Sequence, residues 1–259
     1  MKRIKFAIPC VLLIIAMLIS AAPSESNAEN FYIKRNGSSR PVGDEMHKRI
    51  ESLGAYYIDK SAGDTDEGKK IYLTFDVGYE NGNVAKILDI MKEKGVVGAF
   101  FILKYPILKN PDLILRMVNE GHLVCNHTKN HKDMTKLTND EITKDLSELE
   151  EAYFNLTGRE ISKYFRFPEG RFSQTAIKHI NSLGYKSVFW SFAYADWDNN
   201  NQQNPARVFD LIINNTHSGE VILLHPTSST NAEILGGLID KWREMGYTFG
   251  TLDELCKDK

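Results

Sequence analysis

The chain predicts an α/β fold: a distorted (β/α) barrel of about seven parallel strands, preceded by an N-terminal extension. Three observations carry this. Short apolar runs recur at 71–75, 96–102, 122–125, 164–167, 186–192, 221–224 and 247–251, with the length of strands. Between them lie segments such as Val84-Ile87-Leu88-Met91 and Ile142-Leu146-Leu149-Tyr153, whose apolar residues fall three or four apart, the period of a helix with one buried face. Gly95, Gly121, Gly184 and Gly246 each close a helical segment just before a strand, where a helix C-terminus commonly turns left-handed. Strands alternating with helices imply parallel pairing through crossovers. About seven such units favour a barrel somewhat smaller than the usual eight-unit form. An open doubly wound sheet is the alternative, and no G-x-G-x-x-G follows the first strand to support its dinucleotide-binding version.

The elements before residue 71 read differently. Met1-Lys2-Arg3-Ile4-Lys5 is basic, residues 6–22 are apolar, and Ser26-Asn27-Ala28 offers small residues at the positions a signal peptidase reads. That order is a secretory signal over residues 1–28. The apolar run falls short of the roughly 20 residues a bilayer-spanning helix needs and contains Pro9, so a cleaved signal is favoured over a retained anchor. Cys10 lies inside the run, not at its end, which argues against a lipidated cysteine. Residues 29–69 are polar and irregular, with loop-like stretches at 37–41 and 61–68, and read as an extension lying on the main domain of residues 70–259.

Composition narrows the function classes. The 259 residues are 42% hydrophobic and 25% charged, with a formal net charge of −2. Neither a basic field for nucleic acid nor the acidic excess of a disordered chain is present. Cys125 and Cys256 remain after the signal, with no C-x-x-C pair, and read as two free buried thiols. No stable protein partner is implied, and a monomer is expected.

Chemistry concentrates at the C-terminal ends of five strand-like runs. There stand Asp76, Asn126-His127, Arg166, Asp196-Trp197 and His225. In a parallel barrel these ends share one face, where active sites lie. Each residue alone has an ordinary explanation. Asp76 could cap a helix or turn. His127 and His131, spaced i, i+4, place two imidazoles on one helical face as metal pairs require, or are two solvated histidines. Arg166 ends an apolar run before Pro168-Glu169-Gly170, so its charge is expected to be buried against a carboxylate. His225 could be a core histidine. Trp197, flanked by Asp196 and Asp198, reads as a rim residue that stacks on a sugar ring, with Asp196 beside it in substrate binding. Five groups of acid, base and cation type converging on one face are hard to read as decoration.

Together these residues resemble a known family. Thr74-Phe75-Asp76-Val77-Gly78, His127-Thr128-Lys129-Asn130-His131, Arg166-Phe167-Pro168-Glu169-Gly170, Asp196-Trp197 and Leu223-Leu224-His225 are similar, in order, to the five motifs of the polysaccharide deacetylases, the carbohydrate esterases with a NodB homology domain. The resemblance covers about residues 70–255. The longer runs 74–81, 164–172 and 190–197 look closest to the delta-lactam-biosynthetic de-N-acetylases of spore cortex peptidoglycan. The resemblance implies a distorted (β/α) barrel, Asp76 as general base, His127 and His131 as ligands of zinc or another divalent ion, and Arg166 holding the base. It further implies an oxyanion donor in the backbone N–H at Glu169, Leu223 as a wall of the acetyl-methyl pocket, and His225 as general acid. Two positions depart from the family pattern. Val77 replaces the Asp that completes an Asp-His-His metal triad, so the ion is expected to be weakly held. Ala193 stands where many relatives carry the Asp that tunes the acid. The expected activity is metal-assisted deacetylation of N-acetylmuramic acid in peptidoglycan glycan strands by an exported enzyme. Other acetylated glycans (N-acetylglucosamine, chitin-like or xylan) and a glycan-binding pseudoenzyme are the alternatives.

Overall fold

The computed structural model describes residues 28–65 and 68–257. Except for Ala28, the expected export signal lies outside the described residues, and among these no helix is long and apolar enough to cross a membrane. The elements run β1 (Glu29–Asn30), α1 (Glu45–Ser52), β2 (Lys70–Val77), α2 (Asn83–Lys94), β3 (Ala99–Ile102), α3 (Lys104–Lys109), α4 (Pro111–Asn119), β4 (Leu123–Asn126), α5 (Asn139–Thr157), β5 (Ser162–Phe165), β6 (Arg171–Phe172), α6 (Gln174–Ser182), β7 (Lys186–Ser187), α7 (Pro205–Ile213), β8 (Glu220–Leu224), α8 (Ser229–Glu244), β9 (Thr248–Phe249) and α9 (Leu252–Leu255).

A seven-stranded sheet runs β7-β5-β4-β3-β2-β8, with β9 beside the start of β2, and every described pairing in it is parallel. It curls into a half-barrel, as the alternation of apolar runs and helices predicts. Only two residues of the expected 186–192 strand enter the ladder, because the chain then bends away. Val188 bridges Tyr56, and Phe192 bridges Ile222 on β8, which draws the two sheet edges together. The four joint glycines all have positive φ, as left-handed helix ends require.

Alternation along β2 sorts the side chains. Ile71, Leu73, Phe75 and Val77 join the apolar layer that packs against α2 and α8. Tyr72, Thr74 and Asp76 take the other face, toward the barrel interior, where Tyr72 packs with Phe101, Cys125 and Val221. Cys125 and Cys256 are both buried, and neither is in a disulfide. At the foot of β8, Glu220 is fully enclosed. Its Oε2 accepts from the His217 N–H at 3.1 Å, while its Oε1 has no partner. Burial pushes its carboxyl up to about 8, against the pull of the His217 N–H.

The extension is more ordered than its composition suggests. Asp44 caps α1 by accepting from the Met46 and His47 N–H groups, and the His47 ring accepts in return from the Asp44 N–H. Met46, His47 and Ile50 form its buried side. The signal was present in the sequence as an Asp with a hydrogen-bonding side chain three residues on, followed by apolar residues four apart.

Candidate active site

The C-terminal ends of the strands open into a cleft of about 710 Å³, lined among others by Asp76, His127, His131, Glu169, Leu223 and His225. Asp76 closes β2 and is 8% exposed. Arg166, just past the end of β5, is fully buried with its guanidinium beneath Asp76. Its Nη1 donates to Asp76 Oδ1 at 2.9 Å and its Nη2 to Thr74 Oγ1 at 2.9 Å and the Phe189 carbonyl at 3.1 Å. Its Nε donates to the Val188 carbonyl at 3.0 Å, and the group lies 4.2 Å from the centre of the Phe101 ring. A buried guanidinium is tolerable only with its donors matched in this way. Burial by itself would raise the Asp76 pKa. The charge of Arg166, with His127 and His225 behind it, outweighs that and holds the carboxyl below its usual range.

His127 and His131 meet, but not on a helix. The segment after β4 is irregular, with Thr128 at φ 76° and His131 at φ 57°. Asn126 Oδ1 accepts from the Thr128 N–H at 2.8 Å, and Thr128 Oγ1 accepts from the His131 N–H at 2.8 Å. These local bonds compete with helix formation and fold the loop so that the two rings sit 5.0 Å apart. The expectation of a shared helical face is therefore corrected, while the pairing itself stands.

His127 Nδ1 lies 2.9 Å from the Arg166 carbonyl. A carbonyl can only accept, so Nδ1 carries the proton and Nε2 presents its lone pair. That lone pair faces Asp76 Oδ2 at 3.5 Å, an electron-rich pair that calls for a cation between them. Burial, opposed by Asp76, pushes His127 down to about 4, and enclosure by the cleft also lowers His131. Neutral imidazoles are the form that binds a metal. The donor set fits a divalent ion in part. Among the described residues no cluster of three or more His, Cys, Asp or Glu side chains forms a full cage, and Val77 is buried in the apolar layer away from the cleft.

Across the cleft, His225 follows β8. Its Nδ1 meets Asp196 Oδ1 at 2.7 Å, and its backbone N–H donates to Asp196 Oδ2 at 2.8 Å. Asn231 Nδ2 donates to the same Oδ2 at 2.7 Å and is itself oriented by the Tyr194 hydroxyl at 2.5 Å. Asp196 is thus buried with both oxygens occupied, and the expectation that it binds substrate is corrected: it holds His225 instead. It supplies the partner that seemed missing when Ala193 was found in place of an Asp. Burial works against a charged His225. The Asp196 bond and charge, with Asp76, prevail and raise its pKa.

Trp197 is 63% exposed at the rim, with its ring 6.3 Å from His225. Leu223 lines the floor beside Trp190 and Tyr194, two wall residues the motif reading did not single out. Trp190 was findable as the aromatic end of an apolar run. Glu169 is exposed on the cleft with φ 56°. The next two N–H groups are used within its loop, that of Gly170 on the Phe167 carbonyl at 3.0 Å and that of Arg171 on the Pro168 carbonyl.

Comparison with known proteins agrees with this arrangement. Residues 63–188 match the family described as Polysaccharide deacetylase. The chain is 37% identical over 257 residues to the peptidoglycan-N-acetylmuramic acid deacetylase PdaA of Bacillus subtilis (strain 168), covering 96% of each chain. The solved structure of that protein, a family 4 carbohydrate esterase, is similar with a TM-score of 0.83 and 38% identity over 88% of this chain and 97% of that one. A family 4 carbohydrate esterase from Bacillus anthracis gives a TM-score of 0.70 and 35% identity over 88% and 99%. The Bacillus anthracis pseudoenzyme BA3943 gives 0.67 and 26% over 73% and 66%. With the motifs in order, the half-barrel and near full-length similarity, the chain belongs to the polysaccharide deacetylase family.

Proposed function

We propose that this protein is a hydrolase that removes the acetyl group from N-acetylmuramic acid in peptidoglycan glycan strands. The observation that carries it is the pairing of Asp76, bound by Arg166, with His225, bound by Asp196, in one cleft. Amide hydrolysis needs a base for water and an acid for the departing amine. Asp76 takes the water proton. The Glu169 N–H meets the developing oxyanion, Leu223 receives the acetyl methyl, and the His225 imidazolium protonates the sugar nitrogen. Trp197 stacks on the sugar at the rim.

Deacetylases of this family are metal-dependent. His127 and His131 would hold the ion, zinc or another exchangeable divalent cation, which when bound polarises the substrate carbonyl. The weak hold follows from two imidazoles with no third protein ligand. The similarity to the muramic acid deacetylase, together with the motif runs of the delta-lactam branch, supports muramic delta-lactam of spore cortex as the product line. Export under the signal in residues 1–28, an extension at 29–69 and a catalytic domain at 70–259 complete the proposal, and rest on the basic, apolar and small-residue order of the N-terminus and on the strand and helix alternation after residue 70.

The test is acetate release from purified glycan strands, with and without removal of stem peptides, and mass spectrometry of the digested strands. Muramic residues lighter by one acetyl group, or converted to lactam, are expected. Asp76→Asn should lower turnover about 10²–10⁴-fold. Deacetylation confined to glucosamine residues overturns the substrate, and near-normal turnover by Asp76→Asn overturns the mechanism.

A further inference from the structure

The start of the N-terminal extension meets the walls of the active site at two places. β1 pairs antiparallel with β6, setting Asn30 opposite Arg171 and Glu29 opposite Phe172. The Phe31 N–H then donates to the Gly170 carbonyl at 2.8 Å. This is the loop whose Glu169 and Gly170 are consecutive left-handed residues, at φ 56° and 64°. Glycine tolerates that conformation, but a glutamate does so only where its surroundings enforce it. The second place is the segment 189–193. The Phe31 ring stacks on Phe189 at 4.5 Å and meets Trp190 edge-on at 5.1 Å. Arg35 lies over the Phe192 ring at 5.0 Å and donates from Nη2 to the Ala193 carbonyl at 2.8 Å. The fit is tight: a Cβ on Gly170 would stand 2.7 Å from the Trp190 ring and 3.3 Å from Phe31 Cβ.

We propose that Phe31 and Arg35 are positioning residues: the extension clamps the Glu169 loop and the Trp190–Ala193 wall against each other, and so sets turnover more than substrate affinity. This rests on the deacetylase function above, with the Glu169 N–H as oxyanion donor. An oxyanion donor works only if fixed at hydrogen-bond distance from where charge develops, and a misplacement of about 1 Å can cost 10²-fold. Neither residue lines the cleft, so substrate binding should be spared. Both lie before the matched family segment of residues 63–188, so the clamp is supplied from outside it.

The experiment compares wild type, Arg35→Ala, Arg35→Lys and Phe31→Ala in the full chain. kcat and KM on glycan strands are measured beside thermal midpoints, and amide hydrogen exchange is followed in peptides covering 166–173 and 189–194. Phe31→Ala should lower kcat about ten- to hundredfold and Arg35→Ala several-fold, with KM within twofold. Arg35→Lys, which keeps a donor, should recover part of the loss. Arg35 is exposed, so Arg35→Ala should keep the wild-type thermal midpoint, which separates positioning from folding. Exchange should quicken in both peptides. Unchanged exchange there, unchanged kcat, or a change in KM alone overturns the clamp. A wild type that releases no acetate overturns the deacetylase function instead, and exchange still decides the clamp.

Discussion

Asp196→Asn is the sharpest perturbation of the acid. All three groups that meet the Asp196 carboxylate are donors: His225 Nδ1, the His225 backbone N–H and Asn231 Nδ2. An asparagine offers one accepting oxygen. If that oxygen keeps the two donors now on Oδ2, the new NH₂ faces His225 Nδ1, which must then accept and cannot carry a proton. The imidazolium loses a charge-assisted bond worth about 1.5–3 kcal/mol. At about 1.4 kcal/mol per pKa unit, its pKa falls by about one to two units. The sign follows from the acid being active only when protonated. Activity is present below the His225 pKa and is lost as pH rises through it, so the variant should lose activity at lower pH than wild type. The assay is the pH dependence of kcat/KM, which reports the free enzyme. The alkaline limb should move down by about one to two units, and each further unit of pH should cost about tenfold. A variant whose alkaline limb stays in place with turnover retained would refute the role of Asp196 and, with it, that of His225 as a poised acid.

Two further outcomes are expected. Chelation should abolish activity and added divalent ion restore it, with His127→Ala and His131→Ala each losing the rescue and showing weakened ion binding by calorimetry; full activity in strictly metal-free protein would leave both histidines as structural or substrate-binding groups. Glu220→Gln should stabilise the fold. The folded protein keeps on Glu220 a proton that the unfolded chain releases near 4.5, so wild-type stability falls as pH rises from there to about 8. The variant's advantage should grow by about 1.4 kcal/mol per unit over that window, to about 3 kcal/mol at pH 7. Denaturant midpoints that differ equally at pH 5 and pH 7.5 would contradict it.

The barrel was legible because parallel strands buried on both faces must be largely apolar, and 221–224 is apolar throughout while 71–75 is so but for Thr74. The acid, base and cation were legible because each ends such a run. What pattern alone could not reach is backbone conformation and pairing across distance. Thr128 is β-branched, and nothing in its type announces φ 76°, so the histidine pair was read on a helix. Asp196 sits one residue before an exposed tryptophan and looks like a surface residue. Its role appears only once the loop after β7 folds back on β8, 29 residues later in the chain. In the extension, polar composition masked α1, whose few apolar residues all lie on one side.

The buried arginine has a consequence for how the molecule assembles. Arg166 finds its acceptors on β2, 90 and 92 residues before it in the chain, and on residues 188 and 189, 22 and 23 residues after it. A guanidinium leaves water at an acceptable cost only when those acceptors are already gathered. An intermediate with one of these segments adrift would hold a solvated, disengaged arginine and a carboxylate free of its partner. The last step of closure and the arming of the base are therefore one cooperative event. During refolding, catalytic competence should appear together with native packing and not trail behind it.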